Sequence, residues 1–143
     1  MRALIQRVSR AAVTVDGARV AAIGPGLLVL LGVTRDDDEA AADRLADRVR
    51  ALRVFPDAEG RMNEPLGERE VLCVSQFTLY GDARKGRRPS WTGAAPGDVA
   101  EPPVDAVIQA LRARGATVET GRFGAPMAVS SVGDGPFTLL LEV

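Results

Sequence analysis

A Gly-Pro pair, Gly135 and Pro136, lies between two apolar, strand-like runs near the C-terminal end of the chain, residues 127–132 and 137–143. Proline has no N–H to donate to a sheet, and ordering glycine in a strand costs more backbone entropy than ordering other residues. The sequence therefore predicts a tight turn, a bulge or a presented loop at this point. An X-Pro bond is also the one peptide bond that adopts the cis form at modest cost, in roughly one of twenty cases in folded proteins. Both an ordinary hairpin turn and a turn whose backbone has a function fit this pattern.

The size of the chain predicts a single domain. Its 143 residues, 46% of them hydrophobic, are enough to bury a core without disulfides or metals. No apolar run is long enough to span a membrane, and Arg2 and Arg7 interrupt the N-terminal segment too early for a secretory signal. Cys73 is the sole cysteine, which agrees with a reducing compartment. We therefore expect one domain over residues 1–143 in a cytoplasmic protein that does not enter a membrane.

The sequence contains no histidine. This excludes a Ser-His-Asp or Cys-His hydrolase, a His-ligated zinc site and a histidine general base. Three neighbouring aspartates, Asp36, Asp37 and Asp38, lack the spacing of a calcium loop, so capping of a helix N-terminus is favoured for them. We expect no metal and no cofactor. The net charge of −1 means that any nucleic-acid binding must use local charge.

Apolar periodicity predicts several strands and two helices. Asp16 and Gly17 favour a type I′ turn and predict a tight hairpin between residues 11–15 and 18–23. One predicted helix runs from the three aspartates to about Arg53, and the second covers residues 104–114. Loops are predicted at residues 56–69 and 80–97. The remaining predicted strands are residues 27–33, 70–79, 117–120, 128–132 and 137–142.

Polar side chains end the otherwise apolar strand at residues 70–79. Strand ends that border a loop commonly carry functional sites, although structural hydrogen bonds account equally well for Ser75 and Thr78. Thr78 has no histidine to activate it as a nucleophile. A buried, inert thiol is the favoured interpretation of Cys73, because no cation flanks it.

A short basic segment follows, and we call residues 84–88 the basic loop. It contains Arg84, Lys85, Arg87 and Arg88, with Trp91 close behind. Plain solvated surface is one interpretation of such a segment. The other is that its cations hold RNA phosphates while Trp91 packs below or stacks on a base.

Four motifs occur in order: Ser-Gln-Phe-Thr-Leu at 75–79, Lys-Gly-Arg-Arg-Pro-Ser at 85–90, Gly-Arg-Phe-Gly-Ala at 121–125 and Asp-Gly-Pro-Phe-Thr at 134–138. Together with residues 1–33 and the order of elements, they resemble the D-aminoacyl-tRNA deacylases over essentially the full chain. The resemblance implies a homodimer of single α+β domains, each with a mostly antiparallel, barrel-like sheet and two main helices. It also implies hydrolysis of the ester between a D-amino acid, or glycine, and the 3′-terminal adenosine of tRNA.

The resemblance assigns a role to individual residues. In that family a cis Gly-Pro peptide enters the partner subunit's active site, where its carbonyls exclude an L side chain. Gly135 and Pro136 would form this chiral filter, and Arg7 would support it. Phe77 and Thr78 would supply catalytic backbone N–H groups, while the tRNA 2′-hydroxyl assists water attack in place of a side-chain base. The implied substrate pocket contains Ser75, Gln76, Leu79, Phe123, Ala125 and Met127, and the implied tRNA contacts are Arg84, Lys85, Arg87 and Arg88.

Three positions depart from the family pattern. Gly133 replaces an asparagine, Pro126 replaces an acidic residue and Trp91 replaces a phenylalanine. Gly133 removes a side chain that could hold the Gly-Pro turn. Two other functions stay open from the sequence: a non-catalytic tRNA or RNA-binding module that uses the basic loop, and an esterase with Thr78 or Cys73 as its nucleophile.

Overall fold

The computed structural model describes residues 1–84 and 86–143. A short 3-10 helix, Phe77–Tyr80, lies between the sixth strand and the second α-helix. The strands and α-helices of these residues are, in chain order, β1 (Arg2–Val15), β2 (Ala18–Ile23), β3 (Gly26–Gly32), α1 (Glu39–Ala51), β4 (Phe55–Pro56), β5 (Met62–Glu64), β6 (Glu70–Ser75), α2 (Gly97–Ala113), β7 (Thr117–Thr120) and β8 (Ala128–Glu142).

The main sheet is mixed. β1 pairs antiparallel with β8 along one edge and with β3 and β2 along the other. β3, β6 and β7 pair in parallel, and α1 and α2 lie in the two crossover connections between these parallel strands. β2 also contacts β6 and β7, so the sheet nearly closes into a barrel. The predicted α+β class with two main helices is confirmed, and β4 and β5 form a separate small hairpin.

Apolar layers cover both faces of the sheet, because alternate residues of β3 and β6 point to opposite sides. Leu27, Val29 and Leu31 face the helices, together with Val71 and Cys73. The opposite layer inside the curved sheet contains Val8, Val13, Leu28, Leu72 and Val74. The prediction that Cys73 is buried is confirmed, since it is 2% exposed.

Local signals at two predicted boundaries are confirmed. Asp16 and Gly17 have φ values of 50° and 77°, as a type I′ turn requires, and they join β1 to β2. Asp38 caps α1, because its carboxylate accepts a hydrogen bond from the Ala41 N–H at 2.8 Å. β1 is much longer than predicted, since it starts at Arg2.

Two predicted boundaries were wrong. The strand predicted over residues 70–79 ends at Ser75, and the chain then tightens into the 3-10 helix, where the Leu79 N–H donates to the Gln76 carbonyl at 3.2 Å. The second helix begins at Gly97 instead of residue 104, with two prolines inside it. Ala100 is buried on the same stripe as Val104, so packing of this first turn outweighs the two missing N–H donors.

The Gly-Pro pair lies in a bulge. β8 continues from Ala128 to Glu142, where the sequence predicted two strands. Gln6 pairs with Thr138 and Val8 pairs with Gly133, so Arg7 alone lies opposite the four residues 134–137. We call residues 134–137 the Gly-Pro bulge. The Gly135-Pro136 peptide bond is cis.

No helix among the residues that the structure describes is long and apolar enough to cross a bilayer.

Candidate active site

A pocket of about 860 Å³ opens at the carboxyl ends of β3 and β6. Leu31 of β3 pairs with Ser75 of β6, so both strands end at the same edge of the sheet, where polar groups of α/β proteins commonly form sites. The start of α2 and the segment after β7 complete the wall. Of the residues that the sequence assigned to substrate binding or catalysis, the lining includes Ser75, Gln76, Phe77, Phe123, Ala125 and Met127.

Thr78 and Leu79 do not line this pocket, because the 3-10 helix turns their side chains away from it. The Thr78 side chain is exposed, and its hydroxyl accepts a hydrogen bond from the Gln76 side-chain amide. Leu79 lies against β3, and its carbonyl accepts a hydrogen bond from Arg2 at 3.0 Å. Neither position could be located from the sequence, which predicted an extended strand through both.

The backbone N–H groups of Phe77 and Thr78 are at the first turn of the 3-10 helix. The first N–H groups of any helix have no partner within the helix. In the part of the chain that the structure describes, neither group donates a hydrogen bond, whereas the Leu79 and Gly81 N–H groups do. Two unused donors therefore lie beside the pocket wall at Phe77.

Two aromatic rings stand at the pocket rim. Phe77 and Trp91 pack edge to face, with ring centroids 5.5 Å apart and planes at 77°. Their exposed fractions are 54% and 41%, which is high for such large apolar side chains. Gly81 permits this arrangement, because a Cβ there would lie 2.5 Å from the Trp91 ring. The pair offers an exposed aromatic surface at the mouth of the pocket.

The basic loop is closed by a backbone bridge between Asp82 and Ser90, with N–H to O distances of 2.8 and 3.0 Å. Arg84 binds the Asp82 carboxylate at 2.8 Å, and these hydrogen bonds lower the pKa of Asp82. Arg87 and Arg88 are exposed. Lys85 lies outside the described residues. The charge of Arg84 is thus partly neutralised by Asp82, so Arg87 and Arg88 are the more available cations of the loop.

Arg7 connects the Gly-Pro bulge to the body of the domain. Its Nε donates to the Asp134 carbonyl at 3.1 Å and lies 3.1 Å from the Asp134 carboxylate. Another guanidinium nitrogen donates to the Val54 carbonyl, and the group lies over the Phe137 ring at 5.6 Å. Gly133 pairs with β1, and the space around its missing side chain is open.

The Gly-Pro bulge faces away from the pocket of its own chain. Gly135 and Pro136 are both exposed and are not among the residues that line that pocket. Gly135 has a φ of +132°, a conformation that residues with a side chain rarely adopt. A Cβ there would also lie 2.9 Å from the Phe137 nitrogen and 3.0 Å from the Arg7 guanidinium.

Sequence reasoning missed two arginines. Arg2 lies over the Tyr80 ring at 4.6 Å and binds Glu142 at 2.6 Å, so it ties the 3-10 helix to both ends of the β1 and β8 pair. Arg35, on the loop after β3, lines the pocket. No motif marks either residue, but the position of Arg35 just beyond a buried parallel strand is a signal that could have identified it.

The proposal of Cys73 as a nucleophile was wrong. The side chain is buried, and desolvation raises the pKa of the thiol to about 12. A thiolate is the reactive form, so this sulfur is unreactive near neutral pH.

The whole chain is similar to one group of known proteins. The family described as "D-Tyr-tRNA(Tyr) deacylase" matches residues 4–142. A D-aminoacyl-tRNA deacylase of Kineococcus radiotolerans is 59% identical over 99% of both chains. A protein of the same name from Streptomyces coelicolor is 58% identical over 100% of both.

Two solved structures share the fold. A chain described as "c-Myc DNA Unwinding Element Binding Protein" is 38% identical with a TM-score of 0.88, and the match covers 100% of this chain and 99% of that one. A probable eukaryotic D-amino acid tRNA deacylase has a TM-score of 0.85 at 20% identity, covering 99% of this chain and 98% of the other. At that identity the second likeness concerns the fold alone.

Proposed function

This chain belongs to the D-Tyr-tRNA(Tyr) deacylase family, whose reaction is hydrolysis of D-aminoacyl-tRNA, and we propose that it performs this reaction without a side-chain base or nucleophile. Its substrate is the ester between a D-amino acid, or glycine, and the 3′-terminal adenosine of a tRNA in the cytoplasm. The observation that carries the mechanism is the pocket beside Phe77, which has unused backbone donors at its wall but no histidine and no accessible thiol.

The catalytic groups are the backbone N–H groups of Phe77 and Thr78. They donate to the ester carbonyl oxygen and stabilise the negative charge that develops when water attacks. The neighbouring 2′-hydroxyl of the terminal ribose assists that water, so the protein contributes position and hydrogen bonds. Phe77 and Trp91 present an aromatic surface for the terminal adenine at the pocket mouth.

Selection for the D-amino acid requires a second copy of the chain. Gly135 and Pro136 project from a bulge on an exposed strand and do not line their own pocket, which supports their entry into the pocket of a partner. There their carbonyls clash with an L side chain, whereas a D side chain or glycine fits. Arg7 holds the bulge through Asp134.

The face that supports a homodimer is β8. This 15-residue strand pairs with β1 on one edge, and nearly all its side chains are exposed. Four of them are large and apolar, which is unusual for an edge strand of a monomer: Val129, Val132, Leu139 and Leu140. Two copies related by a twofold axis would cover the same patch on each other. Arg87 and Arg88 bind tRNA phosphates outside the pocket.

Matched D- and L-aminoacyl-tRNA substrates test the proposal. We expect hydrolysis of the D ester and little hydrolysis of the L ester. Hydrolysis of neither, with retained tRNA binding, would favour the RNA-binding alternative, and equal hydrolysis of both would refute the filter. Thr78→Ala separates the backbone mechanism from a threonine nucleophile: we expect retained activity, because the backbone N–H remains. Complete loss of hydrolysis with unaltered substrate binding would instead assign the hydroxyl as nucleophile.

A further inference from the structure

Arg35 is the one charged side chain among the described residues that line the pocket. It is carried by the loop between β3 and α1, at the same edge of the sheet as Ser75 and Phe77. The rest of the lining is apolar or neutral, with Thr92 and Gln76 among its few polar side chains. An exposed guanidinium at the wall of a neutral pocket is a ready site for an anionic group of the ligand.

The acidic residues that follow Arg35 are engaged elsewhere. The Asp37 carboxylate accepts hydrogen bonds from the Thr34 N–H at 2.7 Å and from the amino group of Met1. The Asp38 carboxylate caps α1. Across residues 1–84 and 86–143, Arg35 itself forms no ion pair and no side-chain hydrogen bond. Its guanidinium is therefore available to a ligand.

We infer that Arg35 binds the phosphodiester group that precedes the terminal adenosine of the RNA substrate. This rests on the proposed function and adds a contact to it. At the acceptor end of an aminoacyl-tRNA, the ester, ribose and adenine are neutral, and the amino acid carries an ammonium group that a guanidinium repels. The phosphodiester is the nearest anion, and arginine matches its geometry with two parallel hydrogen bonds. Arg35 thus sets how far the RNA end enters the pocket.

Binding of two small ligands isolates this contact. The trinucleotide CpCpA carries the phosphodiesters of the tRNA end, whereas adenosine carries none. We expect Arg35→Gln to weaken trinucleotide binding about 5- to 10-fold, the low end for a charge-assisted pair because the site is exposed, with the Kd of adenosine unchanged. Arg35→Lys should restore part of the loss. Arg19→Gln removes an exposed arginine of β2 that does not line the pocket, and it should change neither Kd.

Three results would overturn the inference. They are equal weakening of adenosine and trinucleotide by Arg35→Gln, no weakening of either, and a wild-type protein that binds the trinucleotide no more tightly than adenosine. With full-length D-aminoacyl-tRNA, Arg35→Gln should raise KM more than it lowers kcat and reduce the salt dependence of log KM by about 0.7 per log unit of salt. The binding experiments need no hydrolysis. A wild-type protein that binds the trinucleotide through Arg35 but cleaves no D ester would therefore refute the proposed function alone.

Discussion

Replacing Arg7 with methionine removes the guanidinium group but keeps an unbranched chain of similar length in its place. Four contacts of the Gly-Pro bulge and its surroundings are lost in this variant. They are the hydrogen bond to the Asp134 carbonyl, the ion pair with the Asp134 carboxylate, the hydrogen bond to the Val54 carbonyl and the cation over the Phe137 ring. Arg7→Met thus removes every polar link that the described residues show between β1 and the bulge at this position.

The expected loss of stability follows from the exposure of each group. The Asp134 carboxylate is 53% exposed, so its ion pair contributes about 0.5 kcal/mol after solvent screening. The two hydrogen bonds to carbonyls contribute about 1 kcal/mol each, because the Arg7 side chain is only 12% exposed and water replaces them poorly. We therefore expect a loss of about 2 to 3 kcal/mol. For a chain of this size that lowers Tm by roughly 8 to 12 °C.

Thermal unfolding and the ratio of D to L hydrolysis measure the two consequences separately. Arg10→Met is the matched control, because Arg10 lies on the same strand and is exposed, with no ion pair among the described residues. We expect Arg10→Met to change stability by less than about 0.5 kcal/mol. Arg7→Met should lower Tm and also reduce D-ester hydrolysis at temperatures where it stays folded. If both variants have the same Tm, and both hydrolyse the D ester like wild type, Arg7 does not support the bulge.

Three further predictions concern other parts of the molecule. Gly135→Ala should lose most activity while the dimer persists, because its φ of +132° carries roughly 1 to 3 kcal/mol of strain for alanine; a fully active monomer would contradict the cross-subunit filter. Replacing Arg87 and Arg88 with glutamine should weaken tRNA binding and flatten its salt dependence by about one log unit per phosphate contact, whereas an unchanged slope would make the loop plain surface. The Cys73 thiol, with its pKa raised to about 12, stays protonated in the fold, so its stabilising effect is present below the unfolded pKa of about 8.5 and is lost as pH rises towards 12. Iodoacetamide at pH 8 should modify it only in denaturant, and modification of the folded protein would show that the site opens.

Local chemistry predicted those parts of the structure that depend on a few neighbouring residues. Asp16 and Gly17 form their turn because both tolerate positive φ, and Asp38 caps α1 because its carboxylate reaches an N–H three residues ahead. The 3-10 helix after Ser75 was not predictable in this way. It bends a sequence that reads as a strand, and its contacts with β3 and Arg2 come from distant parts of the chain.

The sequence by itself determined the chemistry that this protein can use. It contains no histidine and one cysteine, and it carries the motifs at residues 75–79 and 134–138 that point to its family. The tertiary structure decided where those groups lie. Only the pairing of β1 with β8 puts Arg7 opposite the Gly-Pro bulge, and only the parallel pairing of β3 with β6 brings Arg35 to the pocket beside Phe77. The physical reason is range: turns and caps depend on local backbone preferences, whereas strand register and pocket walls depend on apolar burial summed over the whole chain.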